Sequence, residues 1–153
     1  MGIEIAYLAD HPEYIQTCAS WIYGLWGSQS GGTYERALSK FTDGANKEAL
    51  PITFLALHDS KPAGTVSVWN TEASRPDLTP WLSALYVHPF HRNKGISLRL
   101  IERLIAEAYR LEIKELFLVT EKAKALYERF CWTEVEPMAT PYGEATLMKK
   151  QLE

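Results

Sequence analysis

Apolar and polar residues alternate along this chain with two periods, one typical of strands and one typical of helices. Short apolar runs predict strands at residues 3–8, 52–57, 65–69, 81–87, 115–120, 132–135 and 145–148. Apolar residues repeated every three or four positions predict helices after Asp10, over 33–41, over 95–111 and over 122–130. The order β-α-α-β-β-β-α-β-α-β-β predicts an α+β fold, with a mixed central sheet and about four flanking helices. Residues 81–120 form a candidate βαβ unit.

Residues that favour caps and turns predict where several elements begin and end. Asp10 resembles a helix N-cap, because Pro12 and Glu13 follow it in the first turn. Glycine, proline and serine then predict loops or turns at residues 24–32, 59–64, 71–80 and 137–143.

Length and composition indicate a single globular domain. The chain has 153 residues, of which 46% are hydrophobic and 23% are charged. These values predict one domain over residues 1–153 with a core of its own. Sixteen basic and 19 acidic residues give a net charge of −3, which argues against nucleic acid as a partner.

The sequence also predicts the compartment and the absence of a metal. No apolar stretch approaches the ~20 residues that span a bilayer, so we expect no membrane partner. The first ten residues carry no Lys or Arg, unlike a secretory leader. The two cysteines and four histidines show no metal-ligand spacing. We therefore expect a cytoplasmic protein without a bound metal.

The segment between the fourth strand and the third helix is the most informative. The strand ends at Val87, and the basic turn Arg92-Asn-Lys-Gly95 leads directly into the helix. The first amides of a helix have no partner within it, and a glycine lets an anion approach them closely. This pattern predicts a pyrophosphate site, and a solvated strand-to-helix turn would have a similar composition. The P-loop and dinucleotide motifs, GxxxxGK[ST] and GxGxxG, are absent.

Two motifs carry a resemblance to a known family. Val87-His-Pro89 followed by Arg92-Asn-Lys-Gly95-Ile-Ser97 is similar to the Val-x-Pro and Arg/Gln-x-x-Gly-x-Gly/Ala motif of the GNAT superfamily of N-acetyltransferases. Residues 120–132 resemble that family's Asn-x-x-Ala-x-x-Leu-Tyr-Glu-x-x-Gly-Phe, including its Leu-Tyr-Glu core. Ser97 replaces Gly or Ala, and Thr120 replaces Asn.

Cys131 stands where the family has a glycine. A left-handed conformation at a non-glycine residue costs roughly 1 kcal/mol or more. We therefore expect the preceding helix to end without a left-handed residue, and we expect Cys131 to be buried.

The resemblance implies an enzyme that uses acetyl-CoA as its acetyl donor. Family members bind pantetheine along the strand before the loop and pyrophosphate on the loop amides. Tyr127 corresponds to the tyrosine that protonates the departing CoA thiolate in many members; a phenol remains protonated at neutral pH and is therefore available as an acid. Packing on the sheet is the other role open to Tyr127. The resemblance assigns donor contacts to Leu85, Tyr86, Val87, Arg92, Asn93, Lys94, Gly95, Ile96, Ser97 and Thr120.

The general base is less clear from the sequence. Some family members place a glutamate near the start of the strand before the loop, but Trp81 stands there and accepts no proton. The acids of the preceding loop, Glu72 and Asp77, are therefore the two candidates. Solvated loop acids would look the same in the sequence.

The acceptor site is predicted from the resemblance and from aromatic content. The family's specificity lies in the first helices, their loop and the late strands, and we expect Trp26, Trp81, Ser83 and Tyr142 to line a pocket that binds an ammonium. The leading hypothesis is direct acetyl transfer to a primary amine of a small molecule. A catalytically degenerate acyl-CoA-binding sensor or partner module stays open, as does a protein N-terminal or lysine acetyltransferase. A homodimer also stays open, since members of the family often dimerise.

Overall fold

The computed structural model describes residues 2–27, 31–72 and 75–152. In these residues seven strands form one mixed sheet, accompanied by four α-helices, so the predicted architecture is confirmed. The strands are β1 Ile3–Tyr7, β2 Ile52–His58, β3 Lys61–Trp69, β4 Trp81–Val87, β5 Glu115–Thr120, β6 Thr133–Thr140 and β7 Gly143–Gln151. The helices are α1 Ile15–Ile22, α2 Tyr34–Asp43, α3 Ile96–Arg110 and α4 Lys124–Arg129.

The sheet has the strand order β1-β2-β3-β4-β5-β7-β6. Neighbouring strands run antiparallel except β4 and β5, which are parallel. The βαβ unit predicted from the hydrophobic pattern is therefore present, with α3 connecting its two strands. None of the described helices, of which α3 with 15 residues is the longest, has the length and hydropathy of a membrane span.

β4 and β5 meet only near their beginnings. Trp81 pairs with Phe117, and the Phe117 amide donates to the Pro80 carbonyl over 3.0 Å. No further residue pair joins the two strands, both of which are described in full. Beyond this contact, residues 82–87 and 118–120 border an opening in the sheet, which we call the β4–β5 gap.

β4 contains one extra residue relative to β3. Thr65 pairs with Tyr86 whereas Ser67 pairs with Ser83, so three steps along β4 match two along β3. Ala84 lies within this β-bulge and has a φ of 56°. A bulge bends its strand and takes backbone groups out of the ladder. The ladder to β3 is therefore interrupted at the same place where β4 borders the gap.

Apolar clusters cover both faces of the sheet. On the face that we call the α3 face, α3 and α4 pack over a cluster that includes Phe54, Leu118 and Tyr127. On the opposite face, the α2 face, α1 and α2 pack over a cluster that includes Leu55 and Phe41. Phe54 and Leu55 belong to different clusters because neighbouring residues of a strand point to opposite faces.

The first helix begins later than the sequence predicts. Asp10 does not cap it: Asp10 ends a 3₁₀ turn, and its carboxylate accepts a hydrogen bond from Lys47 over 2.9 Å. A second short turn, Pro12–Tyr14, precedes α1, which begins at Ile15. The capping pattern was misleading because a residue distant in sequence binds the Asp10 carboxylate.

The loop predicted at 24–32 is wrong in its first half. Residues Tyr23–Gly27 continue α1 as one turn of π-helix, which we call the π turn. Such turns are rare and occur frequently at functional sites. Residues 28–30 of the predicted loop lie outside the described residues, as do residues 73–74 of the loop predicted at 71–80.

The β2–β3 and β6–β7 hairpins have tighter turns than the sequence predicts. The turn predicted at 59–64 is reduced to Asp59 and Ser60, which have φ of 51° and 69°, and β3 begins at once. The loop predicted at 137–143 is reduced to residues 141–142, because β6 continues through Pro137. The proline is tolerated because β6 is an edge strand, which needs ladder bonds on one side only.

The end of α4 also contradicts the prediction. Cys131 has a φ of 71°, in the left-handed region, and its side chain is exposed. The Trp132 amide donates to the Tyr127 carbonyl over 3.1 Å, and the Cys131 amide donates to the Glu128 carbonyl over 3.2 Å. These two bonds form a Schellman motif. Because Trp132 is buried directly after the turn, its packing favours this ending despite the strain at Cys131.

Candidate active site

The basic loop, residues 92–95, leads into an open helix N-terminus. Gly95 precedes α3 with a φ of 75°. The first α3 amide bonded to a preceding carbonyl is that of Arg99, which donates to Gly95 over 3.2 Å. The amides of residues 96–98 therefore have no partner within the helix. A Cβ atom at Gly95 would meet no atom within 4 Å apart from its chain neighbours, so an anion can approach the backbone closely here.

Arg92 fixes the basic loop to the end of β4. Its Nε donates to the Val87 carbonyl over 2.9 Å, and its guanidinium carbon lies 5.9 Å from the centre of the Tyr86 ring. Lys94 and Arg99 are exposed beside it. The loop therefore carries two cations and the first turns of α3 carry a third, an arrangement that favours a phosphate group.

Tyr127 lies on the α3 face and is only 6% exposed. Its ring packs edge-to-face against Trp132, with 5.7 Å between ring centres. Burial raises the pKa of Tyr127 to about 12, because the phenolate would lose its hydration. The start of α4 is fixed by Thr120, whose Oγ1 accepts a hydrogen bond from the Ala123 amide over 2.9 Å. This contact connects the end of β5 to the helix that carries Tyr127.

A cavity of about 470 Å³ lies between the sheet and the elements of the α2 face. It contains all four residues predicted for the acceptor pocket, Trp26, Trp81, Ser83 and Tyr142, together with Glu72. The Tyr142 hydroxyl donates to the Trp26 carbonyl over 3.1 Å, which connects the β6–β7 turn to the π turn. The other lining residues are Ile22, Tyr23, Gly27, Gly32, Thr33, Arg36, Ala37, Lys40, Trp69, Leu82, Ala84, Val119, Glu121, Thr140 and Pro141.

The described lining of this cavity has two cations, Arg36 and Lys40, and two carboxylates, Glu72 and Glu121. The Lys40 Nζ lies 3.9 Å from the centre of the Trp69 ring. Burial lowers the pKa of Lys40, and the negative charge of Glu72 partly offsets this effect. The formal charges of the lining therefore cancel.

Asp77 occupies a different environment from Glu72. Its Oδ1 and Oδ2 accept hydrogen bonds from the Nε and a terminal nitrogen of Arg75, over 3.0 and 2.9 Å. These bonds lower the pKa of Asp77. Asp77 does not line the cavity. Of the two predicted bases, the structure brings Glu72 to the predicted acceptor residues and leaves Asp77 outside them.

Comparison with known proteins identifies the family. The family model described as the acetyltransferase (GNAT) family matches residues 15–131. The chain belongs to the GNAT family of acetyltransferases. The predicted family, and with it the class of enzyme, is confirmed. A comparison with curated proteins finds no match.

Solved GNAT structures share the fold at low sequence identity. An aminoglycoside 6'-N-acetyltransferase complexed with coenzyme A has a TM-score of 0.75 and 15% identity, covering 99% of this chain and 97% of that one. YncA from Salmonella typhimurium, a putative acetyltransferase with its cofactor acetyl-CoA, gives 0.70 and 20%, covering 100% and 95%. The PaiA N-acetyltransferase from Thermoplasma acidophilum, in complex with coenzyme A, gives 0.67 and 19%, covering 99% and 100%.

The predicted donor contacts lie along one path in this GNAT fold. Residues 85–87 border the β4–β5 gap, residues 92–97 follow directly, and Thr120 lies across the gap at the end of β5. Their roles remain predictions. No group of three or more His, Cys, Asp or Glu side chains in residues 2–27, 31–72 and 75–152 is placed to hold a metal ion.

Sequence reasoning missed several residues that line the cavity. Thr33, Arg36, Ala37 and Lys40 lie at spacings of three and four, so they form one stripe of α2, and this periodicity was visible in the sequence. Glu121 directly follows β5 and was also recognisable as an acid at the end of a strand. Trp69 gave no such signal, because an aromatic residue in a strand more often packs in a core.

Proposed function

We propose that this GNAT protein transfers the acetyl group of acetyl-CoA directly to a primary amine of a small molecule. The position of the β4–β5 gap carries the proposal. The basic loop leads into α3, and Tyr127 lies with α3 and α4 on one face of the sheet. The cavity lies on the other face. A donor held on the first face can therefore present its thioester through the gap to an amine in the cavity.

Backbone groups hold the donor in this proposal. The amides of residues 96–98 bind the pyrophosphate, and Arg92 and Lys94 add positive charge. The open edge of β4 at residues 85–87 pairs with the amides of the pantetheine arm, as an added strand would. Asn93 shapes the loop through its positive φ of 64°, and Thr120 holds the far side of the gap.

The chemical step needs one proton acceptor and one proton donor. The neutral amine attacks the thioester carbonyl carbon, so that a C–N bond forms and the C–S bond breaks. Glu72 takes the proton that the amine loses, and Tyr127 gives its proton to the departing thiolate. Ser83 and the bulge at Ala84 line the cavity where β4 borders the gap, so backbone groups released by the bulge are available to the thioester oxygen.

The shape of the cavity favours a small acceptor over a protein. Its volume of about 470 Å³ lies within the range of small-molecule sites, roughly 300–1,000 Å³. The hydrogen bond between Tyr142 and Trp26 joins two of the elements that line it, the β6–β7 turn and the π turn.

Calorimetric titration with acetyl-CoA tests the donor site. We expect Gly95→Glu to weaken binding at least a hundredfold, because a carboxylate would lie beside the amides proposed for the pyrophosphate. Gly95→Ala is the matched control, since it introduces the same backbone strain at a φ of 75° without a charge. It should lose far less affinity than Gly95→Glu. Equal losses in the two variants, or no binding by the folded native protein, would contradict the proposed donor site.

Release of the CoA thiol in the presence of amines tests turnover. Turnover with small amines but not with peptides carrying a free N-terminus or a lysine supports the proposal. Faster turnover of peptides would replace it with a protein acetyltransferase. Binding of acetyl-CoA without turnover of any acceptor would indicate a sensor or partner module.

A further inference from the structure

Four charged side chains line the described part of the cavity, and only two of them interact with each other. The side chains of Lys40 and Glu72 interact electrostatically. Arg36 lies on α2, whereas Glu121 follows β5, and neither forms an ion pair with a described residue. We call the part of the lining around Arg36 the positive wall of the cavity and the part around Glu121 its negative wall. These two charges do not form an ion pair with each other.

The positive wall is also the N-terminal end of α2. Thr33 caps this helix by accepting a hydrogen bond from the Arg36 amide over 3.1 Å, and both residues line the cavity. The 10-residue helix adds the partial positive charge of its N-terminus to the charge of Arg36. The lining at this end is therefore suited to an anionic group.

The negative wall lies next to the proposed reaction site. Glu121 follows Thr120, the last residue of β5, and Val119 also lines the cavity. The attacking amine must be placed at the β4–β5 gap, so a carboxylate here is suited to bind it as an ammonium before its proton is removed. An acceptor that reaches from the gap to α2 meets opposite charges at its two ends.

We infer that the acceptor carries a carboxylate as well as the reacting amine, and that Arg36 binds this carboxylate. This inference rests on the proposed function and narrows its substrate class to amino acids with an apolar or aromatic side chain. The aromatic residues Tyr23, Trp26, Trp69 and Tyr142 supply the surface for that side chain. A polycationic acceptor such as an aminoglycoside would meet two cations and only two carboxylates, without the excess negative charge that it requires.

Matched pairs of acceptors test the inference. Phenylalanine and phenethylamine differ only by the carboxylate, as do tryptophan and tryptamine. We expect kcat/KM to be at least tenfold higher for the amino acid of each pair. Arg36→Gln should lower kcat/KM for the amino acids by about tenfold to a hundredfold, the effect of losing one charge-assisted hydrogen bond, and should change it for the amines less than threefold. Lys114→Gln removes the same charge at an exposed position outside the cavity and is the control.

The result that would overturn the inference is a native enzyme that prefers phenethylamine or an aminoglycoside such as kanamycin. Equal losses for both members of a pair in Arg36→Gln would do the same. Calorimetric titration of phenylalanine into the CoA-saturated protein gives a readout that does not need turnover. Binding that depends on Arg36 without thiol release would retain this inference and contradict the proposed function. Absence of binding, with turnover of other amines, would contradict the inference and retain the function.

Discussion

Burial determines what Tyr127 can do. The surroundings that raise its pKa to about 12 also keep its hydroxyl protonated over the whole range in which an enzyme works. A protonated phenol can donate to a thiolate and cannot remove a proton from an ammonium. The residue is therefore suited to the acid role alone, and the base must be another group.

Tyr127→Phe should lower kcat by about a hundredfold, because a positioned general acid contributes roughly two to four orders of magnitude. The ring and its contact with Trp132 are retained, so affinity for acetyl-CoA in calorimetry should not change. Because burial raises the pKa of Tyr127 to about 12, its titration should cause no fall in kcat of the native enzyme up to about pH 10. A native kcat in the variant would reduce Tyr127 to a packing residue.

Glu72 and Asp77 make a matched pair of acid-to-amide substitutions. Glu72→Gln should lower kcat/KM by about a hundredfold at neutral pH, since it removes the proposed base. Activity should recover as the pH approaches the pKa of the acceptor amine, where the neutral amine is already present. Asp77→Asn should keep kcat/KM within about twofold, because Arg75 binds this carboxylate outside the cavity. Equal losses in the two variants would refute the assignment of Glu72.

At the scale of elements, the end of α4 combines a good hydrogen-bonding pattern with an unfavourable residue. The Schellman motif satisfies carbonyls of the last turn, but Cys131 adopts a conformation that suits glycine. The packing of the buried Trp132 outweighs this strain. The helix therefore keeps its position, and with it that of Tyr127, at some cost in stability.

Replacing Cys131 with glycine should stabilise the protein by about 0.5–1 kcal/mol in urea denaturation. Relief of the left-handed strain contributes about 1 kcal/mol, and the greater freedom of glycine in the unfolded chain offsets part of it. Cys131→Ala keeps the strain and should show no gain. If the alanine variant were equally stabilised, removal of the thiol rather than relief of the backbone would be the cause.

Elements with strong local patterns could be predicted from the sequence. The bounds of β4 and β5 agree with the hydrophobic runs, and α3 follows a periodic stripe with a glycine before it. The π turn and the bulge at Ala84 could not be predicted, because both depend on how the chain packs after it has formed a helix or a strand. The same holds for Cys131, where tertiary packing overrides a local preference. The grouping of Glu72 with Trp26 and Tyr142 required the fold, since these residues are distant in sequence.

At the scale of the whole molecule, one buried carboxylate connects distant parts of the chain. Glu107 of α3 is only 1% exposed. It accepts hydrogen bonds from the Tyr7 hydroxyl of β1, over 3.0 Å, and from Arg103 and Arg110. Arg110 in turn donates to the Lys47 carbonyl over 2.8 Å. The network connects α3 to β1, at the edge of the sheet, and to the segment after α2.

This network should make stability depend on pH in the acid range. Burial opposes ionisation of Glu107, but the hydrogen bonds from Arg110, Tyr7 and Arg103 outweigh it and lower its pKa below the ordinary 4.5. The unfolded chain therefore takes up the proton first, and the stabilisation is complete above about pH 4.5 and falls as the pH drops through the lowered value. Urea denaturation between pH 3 and pH 7 measures this dependence.

Glu107→Gln should lower the free energy of unfolding by about 2–3 kcal/mol at pH 7. It should also reduce the fall in stability at acid pH. Glu102→Gln, an exposed substitution on the same helix, should leave both unchanged within about 0.5 kcal/mol. If the free energy of unfolding of Glu107→Gln still fell at acid pH as in the native protein, the pH dependence would belong to other carboxylates.

The β4–β5 gap, where we propose that the donor lies, has a consequence for the stability of the molecule. The block β1–β4 and the block β5–β7–β6 are each held by an internal ladder, but only one ladder pair, Trp81 with Phe117, joins the strands of one block to those of the other. A molecule lying in the gap contacts both blocks, so its binding free energy adds to the cost of separating them. By mass action, a donor present at a hundred times its Kd would add about 2.7 kcal/mol to the stability of the folded state. In the proposed binding mode the enzyme is therefore least stable without its donor, and we expect its resistance to unfolding to follow the donor concentration.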